Sequence, residues 1–298
     1  SSAACVWALA KQHANEALSV SDMIAGKAVV LSARVTRVLA PNPGFMTGPG
    51  TNSYLIGTQD IAVLDPGPAS EAHVDALMKA AAELGGRIRW IVLTHTHEDH
   101  APAALLLREK TGAEILGQSP LEGDPAQATL MVDKELEDGD ELATAEFTLQ
   151  AIHTPGHVGN HLCYRLEEEA LLFSGDHLIN GSTVVIVPPS GNMKDYLASL
   201  EKLSHQAISR IAPGHGTLID NAQALIQYTI HHRLAREAKV LSKMSPNAIT
   251  LDQLVPLVYD DVNPALHPVA CFSLLAHLIK LRLESHVEEI ATGWRLTD

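Results

Sequence analysis

Four residues able to ligate a metal ion fall within six positions: His95, His97, Asp99 and His100, in the run Thr94-His95-Thr96-His97-Glu98-Asp99-His100. The apolar run Ile88 to Leu93 leads straight into them. Imidazole nitrogen and carboxylate oxygen suit zinc or iron, and the end of a buried strand can hold such groups rigidly. His95 and His97 alternate, so both can point at one site, while Asp99 and His100 can turn to a neighbouring one.

Three later segments, each broken by Gly or Pro, supply the remaining ligands: His153-Thr154-Pro155-Gly156-His157, Ser174-Gly175-Asp176-His177 and Pro213-Gly214-His215-Gly216. His157 and His215 complete two separate shells. Asp176 suits a bridging place, because a carboxylate has two oxygens and brings the negative charge that two cations need. Two metals a few ångströms apart bridge a hydroxide and bring its pKa toward neutrality. Asp65 ends the run Ile61 to Leu64, before Pro66-Gly67. There it can accept a hydrogen bond from the metal loop or from a ligand imidazole, or else satisfy its own turn. A lone histidine beside Gly or Pro is ordinarily a polar loop residue, and His153, His161, His177, His205, His267, His277 and His286 are read that way. His231 and His232 lie on a helix and are expected to face solvent or a module interface.

The elements that must position these groups alternate strand and helix. Strand-like runs cover Ala28 to Ala40, Asn52 to Gly57, Ile61 to Leu64 and Ile88 to Leu93. Apolar residues at helical spacing cover Ala72 to Leu84, capped by Gly85-Gly86, and a second helix covers Ala101 to Lys110. Further strands are Glu114 to Gly117, Glu141 to Thr144, Phe147 to Ile152, His161 to Leu166 and Ala170 to Phe173. Gly139-Asp140 and Glu167 to Glu169 read as hairpin turns. A helix over Met193 to Leu203 precedes the short run into Pro213. This mixture indicates a layered α/β design. Past Asn221, helices over Ala222 to Met244, Thr250 to Tyr259 and His267 to Leu283 precede a hairpin within His286 to Leu296, an arrangement like a winged helix. The expected division is a lead-in over 1–26, a catalytic domain over 27–221 and a winged-helix-like domain over 222–298.

The 298 residues can bury one large core. A formal net charge of -14 argues against a chain devoted to non-specific nucleic-acid or anionic-membrane binding. Cys5, Cys163 and Cys271 are too few and too scattered for a disulfide framework, which fits a cytoplasmic location. Ser1 to Leu9 lacks the pattern of a signal peptide, and a start at Ser1 fits a trimmed N-terminus. No stretch reads as long and apolar enough to cross a bilayer.

His95-Thr96-His97-Glu98-Asp99-His100, with Asp65, His157, Asp176 and His215, resembles the metallo-β-lactamase superfamily. Thr51-Asn52-Ser53-Tyr54-Leu55, Ser174-Gly175-Asp176-His177, Gly191-Asn192-Met193-Lys194-Asp195-Tyr196 and Pro213-Gly214-His215-Gly216 make it similar to the β-lactamase-like protein 2 group. That likeness continues through Tyr228, His231, Arg233 and the C-terminal region. It implies an α+β four-layer αββα sandwich, two mixed sheets face to face with helices outside, plus a small C-terminal winged-helix-like domain. It also implies two Zn(2+) ions, with Fe or Mn as substitutes. His95, His97 and His157 would hold the first ion; Asp99, His100 and His215 would hold the second, with Asp176 bridging. A bridging hydroxide would attack a carbonyl or phosphorus centre, with Asp99 and Asp176 in catalytic roles and Asp65 behind the ligands. Many relatives follow the motif with a Gly-rich turn; here Ala101-Pro102-Ala103-Ala104 stands instead.

Such a family fixes chemistry better than substrate. The acidic balance favours a hydrolase for a small ester or thioester. The alternative is an endoribonuclease for single-stranded RNA, with Lys194, Arg233 and Arg236 as phosphate contacts. A non-enzymatic DNA-binding role for the terminal module ranks last, below a packing or homodimer role for it. True β-lactamase activity is disfavoured, because no export segment is evident.

Overall fold

The computed structural model describes residues 23–124, 126 and 129–297. The expected lead-in lies, through residue 22, outside the described residues. The chain divides into two compact units. One holds the chain through His153 together with Leu162–Ser182 and Ala207–Ala222; the other holds Thr154–His161, Thr183–Gln206 and the chain from Gln223.

In the first unit, seven strands form one sheet in chain order: β1 (Ala28–Val30), β2 (Val35–Leu39), β3 (Asn52–Ile56), β4 (Asp60–Leu64), β5 (Arg87–Val92), β6 (Glu114–Gly117) and β7 (Lys134–Glu135). The β1 to β4 pairs are antiparallel and the β4 to β7 pairs parallel. Parallel neighbours need crossovers, and α1 (Glu71–Glu83) and α2 (Ala103–Thr111) supply two of them. Ser70 starts α1 by accepting from the His73 amide, and Gly112, at φ 71°, ends α2 in the left-handed region. A second sheet runs in the order β12 (Arg210–Pro213), β11 (Leu171–Gly175), β10 (Leu162–Leu166), β9 (Thr148–His153), β8 (Glu141–Ala143), with β11 and β12 parallel.

Strand alternation sorts the apolar residues onto two faces. Tyr54, Ile56, Ala62, Leu64 and Val92 pack with Leu149, Tyr164 and Phe173 of the second sheet and with Phe147 just before β9. Their neighbours Leu55, Ile61, Val63 and Ile91 pack with Val74 and Leu77 of α1 and Leu107 of α2. Both faces of the first sheet are therefore buried, which explains its nearly unbroken apolar strands. The expected fold class holds: mixed sheets face to face with helices outside.

Three local readings change. The run from Ala28 to Ala40 is two antiparallel strands, because Ser32, Ala33 and Arg34 form a bend. The turn at Gly139-Asp140 is no hairpin; it carries the chain from β7 in one sheet to β8 in the other. The hairpin of β8 and β9 closes farther on, where Thr144 Oγ1 accepts from the Glu146 and Phe147 amides.

The second unit contains α3 (Met193–Ser204), α4 (Ala222–Lys243), α5 (Leu251–Val258), α6 (His267–Leu283) and a hairpin of β13 (Val287–Ile290) with β14 (Gly293–Leu296). Thr250 opens α5 with a reciprocal capping box to Gln253. Val240, Leu254, Val258, Leu274, Leu278 and Trp294 share one core, which makes helices and hairpin a single module. The span Pro264–Leu283 is 20 residues long with mean hydropathy 1.3, so one stretch does meet the length and composition needed to cross a membrane, contrary to expectation. Its apolar side chains Leu274, Leu278 and Leu281 belong to the module core, which accounts for its hydropathy.

His73 on α1 is buried, and its Nε2 lies 2.8 Å from Ser53 Oγ. Burial pulls its pKa down to about 4. Below the ordinary value near 6.5 the unfolded chain takes up a proton that the folded chain refuses, so stability falls as pH drops from 6.5 toward 4. Between pH 7 and pH 4.5 the native protein should lose about 2 to 3 kcal/mol more than His73→Gln. Urea midpoints of both proteins at the two pH values measure this difference.

Candidate metal centre

Four strand ends of the first unit carry the chemistry. β4 ends at Asp65, β5 at the Thr94 to His100 loop, β11 at Asp176 and β12 at Gly214-His215. Asp65 is fully buried at φ 48°, a left-handed conformation that costs a non-glycine residue energy. That turn aims its carboxylate at the loop after β5. Oδ1 accepts from the Thr94 amide at 2.8 Å, and Oδ2 accepts from Thr94 Oγ1 at 2.7 Å and from His100 Nδ1 at 2.8 Å.

The Asp65 bond fixes the His100 tautomer. With the proton on Nδ1, the lone pair of Nε2 faces Asp99 Oδ2 at 3.4 Å and Asp176 Oδ1 at 3.3 Å. His215 Nε2 lies 3.1 Å from Asp99 Oδ2 and 3.2 Å from Asp176 Oδ1, while its Nδ1 is 3.2 Å from the Gly50 carbonyl. One ligand atom from each of Asp99, His100, Asp176 and His215 lies within 4.8 Å of all the others. His100 Nε2 is buried yet makes no aligned hydrogen bond. Two imidazole nitrogens and two carboxylate oxygens around that atom are a donor set that a divalent cation fits.

Without a cation, protons balance the charge. Burial would raise the Asp176 carboxyl, but the charge on the neighbouring His100 and His215 imidazoles in the metal-free site holds it well below the usual range. Burial likewise opposes charge on His215, but bonds to Asp176 and Asp99 carry it up to about 9. Asp99 keeps a side chain 27% exposed, against 16% for Asp176, so it is the carboxylate of this group with more access to solvent.

His95 and His97 face each other through Nε2 and Nδ1 at 3.0 Å. His95 Nδ1 lies 3.0 Å from Thr94 Oγ1, which donates to Asp65, so Asp65 braces two of the ligand-type histidines. His157 belongs to the other unit, where its Nδ1 donates to the Val185 carbonyl at 3.0 Å. Within the first unit the ligand-type residues thus form the group Asp99-His100-Asp176-His215 and, beside it in sequence, the pair His95-His97.

Several supporting residues had no local signature. Asn52 Nδ2 donates to the Pro213 and Gly216 carbonyls, and Tyr54 Oη donates to the Pro213 carbonyl, so β3 grips the His215 turn. Tyr164 Oη donates to the Leu93 carbonyl just before the metal loop. Gly214 is required by space: a Cβ there would stand 2.7 Å from His100 Cε1 and 2.8 Å from Asp176 Oδ1. Of the histidines read as ordinary loop residues, His161, His177 and His277 are fully buried. His277 Nδ1 lies 3.4 Å from Glu237 Oε2. Ala101, Ala103 and Ala104, where relatives are Gly-rich, are buried against α1 and the sheet.

The fold and these two groups define a metal-binding hydrolase with its ligands on strand-end loops. The profile of the metallo-β-lactamase superfamily matches residues 46–215, that of the β-lactamase-associated winged helix domain matches 250–294, and the chain belongs to this superfamily. A β-lactamase-like protein 2 homolog of Caenorhabditis elegans is 34% identical over 269 residues, covering 87% of each chain. An atrochrysone carboxyl ACP thioesterase of Aspergillus fumigatus is 33% identical over 217 residues, covering 71% of this chain and 65% of its own. A β-lactamase domain protein from Burkholderia ambifaria superposes with TM-score 0.78 at 18% identity, covering 95% of this chain and 96% of its own, a likeness of fold.

Proposed function

We propose that this protein hydrolyses a small thioester or ester with the help of two divalent metal ions, zinc by preference, in a cytosol-like compartment. The observation that carries the reading is the convergence of Asp99, His100, Asp176 and His215 around the buried His100 Nε2. The thioesterase name of 33%-identical and other relatives supports the acyl substrate. The scatter of Cys5, Cys163 and Cys271 supports the compartment.

His95, His97 and His157 would hold one ion and Asp99, His100 and His215 the other, with Asp176 serving both. Bound metal supplies Lewis-acid polarisation of the acyl carbonyl and a water acidic enough to act near neutral pH. The chain does the rest. Asp65 keeps the His100 proton on Nδ1 and steadies His95 through Thr94. The more exposed Asp99 carboxylate orients the attacking oxygen and accepts a hydrogen bond from it.

The RNA alternative loses most of its cationic candidates. Arg233 and Arg236 are buried, and Arg236 is held bidentate by Asp261 at 2.7 and 2.9 Å. Lys194 stays exposed. A metal-content assay with parallel turnover of an acyl thioester and a short RNA tests the proposal. Metal-dependent thioester cleavage that chelation abolishes is the expected result. Cleavage of RNA alone, or thioester cleavage indifferent to metal, would overturn it.

A further inference from the structure

We infer that Arg233, on the long helix α4, is a positioning residue that holds His157 in its ligating orientation. This rests on His157 being a metal ligand, not on which substrate is cleaved. All the contacts lie within the second unit, to which the His157 loop belongs.

Arg233 reaches the loop by two routes. Its Nη2 donates to the Val184 carbonyl at 2.5 Å, and the next carbonyl, Val185, accepts from His157 Nδ1 at 3.0 Å. Two successive carbonyls of one segment are thus held, one by Arg233 and one by His157. The second route runs through Tyr196 on α3, over whose ring the guanidinium lies at 5.3 Å. Gly156, at φ 143°, sits so close to Tyr196 that a Cβ would stand 2.3 Å from the Tyr196 Cα. The Asn192 amide donates to the Gly156 carbonyl at 2.8 Å, and Ser199 Oγ donates to the Pro155 carbonyl at 2.7 Å. Residues 155–157 are thereby clamped between α3 and the 184–185 segment, and Arg233 touches both jaws.

The burial of Arg233 makes a merely structural assignment insufficient. The residue is 3% exposed, its Nε has no hydrogen-bond partner, and no carboxylate among the described residues pairs with it. A buried guanidinium without a counter-ion is costly to keep, and a methionine would fill much of its volume without that cost. What a methionine lacks is the donor to the Val184 carbonyl. Groups that orient a ligand imidazole in this way set metal affinity, because a ring free to swing must be ordered before it can bind.

The test is zinc titration of metal-free protein against a chromophoric chelator, with wild type, Arg233→Met, Arg233→Lys and His157→Ala. Arg233→Met should weaken one of the two ions about 10- to 100-fold and leave the other within roughly a factor of two. Arg233→Lys keeps a donor and should fall between the two; it also carries the measurement should the methionine variant fail to fold. In nitrogen-detected spectra of the metal-free protein, the His157 Nδ1 proton should exchange faster in Arg233→Met. Wild-type affinity for both ions in the arginine variants, while His157→Ala loses one, would overturn the inference alone. So would equal loss of both ions, or a drop in melting temperature with no change in affinity. Retention of both ions by His157→Ala would overturn it together with the ligand assignment beneath it.

Discussion

Asp176→Asn protein is expected to lose acyl thioester turnover by about a thousandfold or more while keeping its secondary structure. The substitution preserves shape and removes one negative charge from a group that also contains Asp99, His100 and His215. A neutral carboxamide is a far weaker metal donor than a carboxylate, and Asp176 Oδ1 lies beside both imidazoles, 3.3 Å from His100 Nε2 and 3.2 Å from His215 Nε2. Losing one electrostatic stabiliser of an acyl-transfer transition state typically costs about 10²- to 10³-fold, and losing a metal ion costs more. Metal content should fall in step with activity. Steady-state turnover, elemental analysis and far-ultraviolet dichroism together check the expectation. An Asp176→Asn enzyme with full metal and near-native turnover would show that this carboxylate is a bystander.

Asp65→Ala should damage both stability and metal binding, although Asp65 is not itself a proposed ligand. Its carboxylate accepts three hydrogen bonds at a fully buried site. Removing it strands the Thr94 amide and hydroxyl and releases His100 to rotate. Leaving buried partners unsatisfied costs roughly 1 to 3 kcal/mol each, so a total of about 3 to 5 kcal/mol is expected by chemical denaturation. Metal affinity should fall about 10- to 100-fold. Asp65→Gly provides an internal check. It loses the same hydrogen bonds but is at ease at φ 48°, so it should be more stable than Asp65→Ala by about 1 kcal/mol. Equal stability of the two variants would mean that the backbone relaxes out of the left-handed region.

The parts of this architecture that local spacing could reveal were legible in advance. His95, His97, Asp99 and His100 advertise themselves because one strand end presents them all; Asp65, between an apolar strand and Pro66-Gly67, was legible as a partner of the metal loop or of its own turn, and its bonds to Thr94 and His100 decide for the loop. Helices such as Met193–Ser204 and His267–Leu283 follow from apolar periodicity and fall within a residue or so of expectation. Contacts between distant segments left no such trace. Tyr54 and the Pro213 carbonyl are 159 positions apart, and a tyrosine in an apolar strand looks like any core residue. Arg233 illustrates the opposite error. An arginine in a helix with charged neighbours reads as solvated, yet packing on Tyr196 hides it. The turn at Gly139-Asp140 misled for a related reason: turn chemistry shows where the chain reverses, not which strands it joins.

The scatter of the ligand-type residues along the chain bears on how the protein matures. A ribosome that has released everything through Ser204 has delivered His95, His97, Asp99, His100, His157 and Asp176, yet not the strand Arg210–Pro213 that carries His215 into place. The nascent chain therefore holds an incomplete set of donors until the segment through His215 has emerged. An ion that arrives early would meet a partial set of donors, and the complete set exists only once the His215 turn has formed.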